Sequence, residues 1–226
     1  YNKMKLVTFT HKNSEPKLGI FNNDTVLDLE AFSHKHNEAF PKTMLELIDL
    51  GLEEVSRIAE IVKTSSENAI ASASLPLNEI KLLAPVTKPR KNIIGIGLNY
   101  TEHVAESART LDTSKDLPQQ PVIFSKPPTA VIGTDEAILH NTKLTQQLDW
   151  EVELAVIISK KGKYIAKENA MDYVFGYTVI KDISARDCRR AGQWIVSKGQ
   201  DTFAPMGPIL VTKDEIEDPH NLNLSL

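Results

Sequence analysis

The chain opens with short runs in which apolar and polar residues alternate, the period-2 pattern of strands. KLVTFT, KLGIF and TVLDL are separated by HKNSEP and NND, turn compositions that predict a small β-meander over the first thirty residues. From Thr43 the period becomes helical. TMLELIDL and GLEEVSRIAEIVKT place Leu52, Val55, Ile58, Ala59 and Val62 on one face, with Thr43 available as N-cap. SSENAIASASLP then loses periodicity and reads as a linker or surface loop, so a domain boundary is expected near residue 80.

Beyond that boundary Pro85 and Pro89 exclude a regular central strand, whereas NIIGIG is apolar, β-branched and punctuated by glycine, as a buried strand making close approaches would be. YTEHVAESA reads as a short helix. PVIFSK, TAVIG, LDWEVELAVIIS, YVFGYTVIKDIS and MGPILVT are strand candidates, and SARDCRRAGQWIVSKG is the one good helix among them. The expected fold is α+β and β-dominated, with a small N-terminal α+β domain over residues 1–80 and a larger domain over 81–226. No repeat at a solenoid period and no low-complexity tract interrupts it.

Composition narrows the function. Hydrophobic residues at 41% and charged residues at 25% are those of a globular domain, and a net charge of −4 without a dense basic block argues against a nucleic-acid partner. A single cysteine, Cys188, excludes an internal disulfide and a thiolate metal cluster, which fits a reducing cytoplasm. The longest clean apolar run, LAVII, is far too short to span a membrane.

QLDWEVELAVII, residues 147–158, poses a chemical question. On one continuous strand Trp150, Val152, Leu154, Val156 and Ile158 would form an apolar core face, opposite Asp149, Glu151, Glu153, Ala155 and Ile157. Glu151 and Glu153 would then stand about 6.5–7 Å apart on one side, repelling each other unless a cation lies between them. Carboxylates alone favour a hard ion such as Mg²⁺, Mn²⁺ or Ca²⁺ over zinc. A solvated strand edge is the plainer alternative. Asp182, at the mouth of the next apolar run, is a candidate third ligand or an ordinary turn aspartate, and Ser184 with Asp187 spells an S-x-x-D helix start.

Four blocks, GLNYTEHVAES, QLDWEVELAVII, FGYTVIKDISARD and SKGQDTFAPMGP, resemble in order and spacing the signature of the fumarylacetoacetate hydrolase family over roughly residues 91–210. The resemblance implies a mixed β-roll catalytic domain and a Mg²⁺ (or Mn²⁺) site made by Glu151, Glu153 and Asp182. It implies reactions on small 2-oxo acids through an enolate: C–C hydrolysis of acylpyruvates, decarboxylation of oxaloacetate, or isomerisation of a hydroxy-dienedioate. A non-catalytic metal-binding scaffold is the alternative from another class. His103 and Glu106 match the family's pair that activates water, and Lys198 matches its active-site lysine. Lys198 also reads as a helix C-terminal cation followed by Gly199 as a left-handed cap. Arg186 either holds the SARD turn or contacts a substrate carboxylate; Gln193 and Lys126 match positions that line or support the site; Tyr100 reads as core packing. Relatives are commonly homodimers, and the implied partners are therefore the substrate and a second copy. Lys181 stands where many members have asparagine, and family chains continue past NLNLSL with a block resembling TGTPxGVG that closes the pocket.

Overall fold

The structure, a computed structural model, describes residues 3–99, 119–189 and 193–225. The expected meander is present as β1 (Lys5–His11), β2 (Lys17–Asn22) and β3 (Thr25–Asp28), paired antiparallel in sequence order. Both of its faces are covered, Leu6 and Leu18 packing in one apolar cluster and Val7, Phe9 and Val26 in another. A helix that the periodicity did not reveal follows at once: α1 (Leu29–His36) is capped by Asp28, whose carboxylate accepts from the backbone of Glu30 and Ala31. It ends at Asn37 in the left-handed conformation.

α2 (Met44–Leu50) begins at Thr43 as expected, with Glu46 closing a reciprocal capping box, and α3 (Leu52–Thr64) buries Val55, Ile58 and Ala59. The stretch read as a linker is instead ordered into α4 (Glu67–Ala71) and β4 (Ser74–Pro76). Ser66 caps that helix, and Leu75 pairs with Val26, so small polar residues here serve caps and an edge strand.

β5 (Ile80–Leu82), β6 (Ile93–Gly97), β7 (Val122–Lys126), β8 (Val131–Ile132), β9 (Leu148–Asp149), β10 (Val152–Ile158), β11 (Val174–Lys181), β12 (Ser184–Ala185), β13 (Ala204–Pro205) and β14 (Leu210–Thr212) complete the described strands. The largest sheet runs β10-β11-β14-β1-β2-β3-β4, with β5 also on β1. It therefore crosses residue 80, joining the N-terminal meander to strands of the last third of the chain. One apolar cluster, from Met4 through Leu47 and Phe175 to Leu210, lies across that junction. The fold is α+β and strand-rich, as the patterning predicts.

Two strand readings change. NIIGIG forms a two-stranded ribbon with β7 whose outer face leaves Ile94 62% exposed, so β6 is not a buried strand among the described residues. Its glycines do allow close approach: a Cβ at Gly95 would collide with the Phe124 ring. The expected continuous strand over 147–158 breaks at Trp150–Glu151 into β9 and β10, and its faces are reversed. Trp150, Val156 and Ile158 are exposed, while Ala155 and Ile157 pack on the core. Both faces of β10 carry apolar residues, and its pairing with β11 (Glu153 opposite Ile180, Ala155 opposite Thr178) turns the glutamate side inward.

The helix expected over SARDCRRAGQWIVSKG is shorter than predicted. Ser184–Ala185 pairs with Leu148–Asp149 as β12 on β9, a 3₁₀ turn follows over Arg186–Cys188, and α5 spans only Trp194–Lys198. Ser184 does not cap it: its hydroxyl donates to Glu151, and Asp187 instead accepts from the Thr145 hydroxyl and the Gln146 backbone. Gly199 is not left-handed either, with φ at −114°. It is glycine because a Cβ would run into Ile195 and Pro127.

Candidate active site

Strand pairing brings the acidic residues together. The Asp182 N–H donates to the Glu151 carbonyl at 2.9 Å, locking the start of β10 against the end of β11. The two carboxylates then share one cation: Lys198 Nζ lies 3.0 Å from Glu151 Oε1 and 2.5 Å from Asp182 Oδ2. Arg186 grips the same glutamate at 2.7 Å and Asp149 at 2.8 Å. Burial opposes the Arg186 charge, but these two carboxylates outweigh it and hold its pKa above the ordinary value. Lys181, next to Asp182, is exposed on the opposite side, as strand alternation predicts.

Glu153 faces the same cavity. Burial, reinforced by Glu151, pushes its pKa up to about 7, against a hydrogen bond from the Asn99 side chain. The cavity, of about 100 Å³, is lined by Asn99, Phe124, Glu151, Glu153, Arg186, Arg189, Trp194 and Lys198.

Lys126 occupies a different place. It is 2% exposed and absent from the cavity wall, and its three ammonium protons go to the carbonyls of Ile183 (2.9 Å), Lys198 (2.5 Å) and Phe203 (2.8 Å). It also lies 2.7 Å from Asp182 Oδ1 with no proton left to donate, so that buried oxygen has a counter-charge but accepts no hydrogen bond. Burial lowers the Lys126 pKa to about 8, more than Asp182 raises it, and the ammonium stays charged at neutral pH. Of the two roles expected of Lys126, lining and supporting, the contacts match support. Gln193 is exposed at the start of α5, outside the cavity wall. His103, Glu106 and Tyr100 lie outside the described residues.

The oxygen-only donor set of Glu151, Glu153 and Asp182 suits a hard divalent cation, and Asp182 Oδ1 is a buried carboxylate oxygen that accepts no hydrogen bond. As placed, no three His, Cys, Asp or Glu side chains among the described residues converge on one point, and the Lys198 ammonium bridges two of the three carboxylates. The donor types fit such an ion, provided Lys198 yields one of its partners.

A sequence profile described as "Fumarylacetoacetate (FAA) hydrolase C-terminal" matches residues 92–226. The chain belongs to the fumarylacetoacetate hydrolase family. It is similar to the mitochondrial oxaloacetate tautomerase FAHD2A of Bos taurus, 40% identical over 98% of this chain and 67% of the relative. It is also similar to the oxaloacetate tautomerase YisK of Bacillus subtilis, 38% identical over 91% of this chain and 68% of the relative. Among solved structures, the fumarylacetoacetate hydrolase of Exiguobacterium antarcticum superposes with a TM-score of 0.70 at 30% identity, covering 96% of this chain and 69% of that one. Maleylpyruvate hydrolase from Sphingobium sp. SYK-6, in complex with manganese(II) ion and pyruvate, superposes with a TM-score of 0.67 at 29% identity, covering 96% and 70%. The chain thus spans about two thirds of the length of these relatives, and it is that of an enzyme of the fumarylacetoacetate hydrolase family.

Sequence reasoning missed two functional-site candidates in this family member, Arg189 and Trp194. Both were absorbed into a helix pattern, and only the packing puts them on the cavity wall. Among the described residues, no helix is long and apolar enough to cross a membrane.

Proposed function

We propose that Glu151, Glu153 and Asp182 hold a divalent cation, Mg²⁺ or Mn²⁺, and that the site interconverts a small 2-oxo acid of the oxaloacetate type with its enol. The observation that carries this reading is the carboxylate cluster at the start of β10 and the end of β11, with one buried aspartate oxygen that accepts no hydrogen bond. The names of the relatives, two of them oxaloacetate tautomerases, support the substrate class. When bound, the cation supplies Lewis acidity toward the substrate's 2-oxo and carboxylate oxygens. Lys198 provides a positive charge beside the 2-oxo oxygen, stabilising the negative charge that oxygen gains in the enolate. Arg186 keeps Glu151 oriented rather than binding substrate, since its fork is already engaged. Lys126 anchors Asp182 from behind.

C–C hydrolysis of an acylpyruvate is the second reading, supported by the likeness to a maleylpyruvate hydrolase. It shares the first proton transfer and adds a water, which His103 with Glu106 would activate. We place the enzyme in a reducing, cytoplasm-like compartment, and a homodimer is its proposed assembly.

The test follows the disappearance of enol-oxaloacetate by ultraviolet absorbance with Mn²⁺, then with EDTA, in the wild type and in Glu151→Gln. Loss of the catalysed rate in both cases is expected. An EDTA-insensitive rate, or an unaffected Glu151→Gln variant, overturns the reading. Acetylpyruvate and fumarylpyruvate, assayed alongside, separate tautomerisation from hydrolysis.

A further inference from the structure

The cavity wall carries more positive charge than the proposed chemistry uses. Lys198 and Arg186 are committed to carboxylates, and Lys126 is buried behind Asp182. Arg189 lines the same cavity, yet among the described residues its guanidinium makes no hydrogen bond or ion pair. It lies instead over the Trp194 ring, 3.9 Å from the centroid. Trp194 packs on Phe124 with centroids 5.6 Å apart, and Lys198 Nζ stands 5.0 Å from the Phe124 centroid. Two aromatic rings therefore form a floor with a cation over each end.

The floor is fixed in position. Gly97 packs against the indole so closely that a Cβ would come within 3.1 Å of it. Packing on Trp194 holds the guanidinium at the cavity wall while its N–H donors have no partner among the described residues, and a planar fork of this kind suits a carboxylate. Burial, followed by repulsion from Arg186, holds the Arg189 pKa below the ordinary arginine value, so an anion arriving there relieves an unfavourable charge.

We propose that Arg189 is a specificity residue that receives the second carboxylate of a dicarboxylic 2-oxo acid, whose 2-oxo carboxylate head lies at the Lys198 end of the floor. The inference rests on the 2-oxo acid reading above and adds to it the residue that recognises the tail carboxylate, Arg189. A monocarboxylic 2-oxo acid would use the same head site and leave Arg189 unpaired.

Two substrates with the same head test this on the full chain loaded with Mn²⁺: oxaloacetate, followed by enol absorbance, and pyruvate, followed by deuterium exchange of its methyl protons. Binding of oxalate, which mimics the head alone, is measured in parallel by calorimetry. Replacing Arg189 by Met should lower kcat/KM for oxaloacetate roughly 10- to 150-fold, the range for losing a hydrogen bond to a charged group. Pyruvate exchange and oxalate affinity should stay within about twofold, because neither ligand reaches the tail site. Arg189→Lys should recover part of the oxaloacetate rate, and it carries the test if the methionine variant folds poorly. Equal losses on both substrates, a drop in oxalate affinity, or an undiminished oxaloacetate rate overturns the assignment while leaving the 2-oxo acid reading intact. A wild type that processes neither substrate removes both.

Discussion

Replacing Lys126 by Met should unfold this protein far more readily than its apolar surroundings suggest. Methionine keeps the length of the stem, so the variant isolates the ammonium. Three buried carbonyls lose their donor, each a cost of about 1–3 kcal/mol where no water replaces it. Asp182 also loses one of its two cations. Against this, methionine no longer has to strip water from a charge, a cost visible in the depressed Lys126 pKa. Breaking a buried pair from one side costs about 3–5 kcal/mol net, which we adopt for the sum. At roughly 2–4 °C per kcal/mol for a chain of this size, the melting midpoint should fall by about 6–20 °C. Urea unfolding followed by circular dichroism, at constant m-value, measures the change directly. The pairing also predicts coupling: Lys126→Met with Asp182→Asn should cost at least about 1 kcal/mol less than the two single changes added together. A single-variant loss below about 1 kcal/mol, or strict additivity, would refute the view of Lys126 as the anchor of the site.

Other perturbations test other layers. Asp182→Asn should weaken Mn²⁺ binding, read by calorimetry or by the free-Mn²⁺ resonance signal, by at least about tenfold, since it removes the charge of a proposed ligand; unchanged affinity would remove Asp182 from the metal set. Gly176→Ala should destabilise by about 1–3 kcal/mol, because its Cβ would collide with the Val211 carbonyl where β11 meets β14; an unchanged urea midpoint would mean that the two strands can part freely. Glu136 accepts from the Gly133 backbone and pairs with Lys81, which hold its pKa below the usual glutamate range. Its stabilisation is present above the unfolded pKa and fades as pH falls through the folded one. Glu136→Gln should therefore cost less than about 1 kcal/mol at neutral pH, given its exposure, and nothing in strong acid; a deficit that persists in acid would contradict the charge-based account.

Much of the site was legible because its chemistry is local in sequence. The E-x-E of Glu151 and Glu153 and the aspartate at the mouth of the next apolar run raise a carboxylate cluster as one reading, the four-block resemblance turns it into a ligand set, and Thr43 announces a helix start. The illegible part depends on distant partners. Alternation along β10 divides its residues into two faces, but Ala155 and Ile157 are as apolar as Val156 and Ile158, so only the pairing with β11 decides which face turns inward. The local pattern shows Lys126 only as a lysine at a strand end, and its place at the site comes from the resemblance, because the carbonyls it serves lie 57, 72 and 77 residues further along. The linker reading of SSENAIASASLP failed for a related reason: serines that signal a loop by composition also cap a short helix, and Leu75 finds Val26 only once the meander has formed.

The reversed facing of β10 sets the kind of change this strand can accept. Its inward and outward sets differ by a single step along the backbone, and a register irregularity at Ile157–Ile158 already uses up the slack near one end. Substitutions at Leu154 or Val156 exchange one outward side chain for another and leave Glu153 where it is. Deleting any one residue between Val152 and Ile158 would shift one flank of the strand by a single position against its partner, turning carboxylate out and alkyl in. A library built over this segment should therefore retain many amino-acid replacements and almost no single-codon deletions.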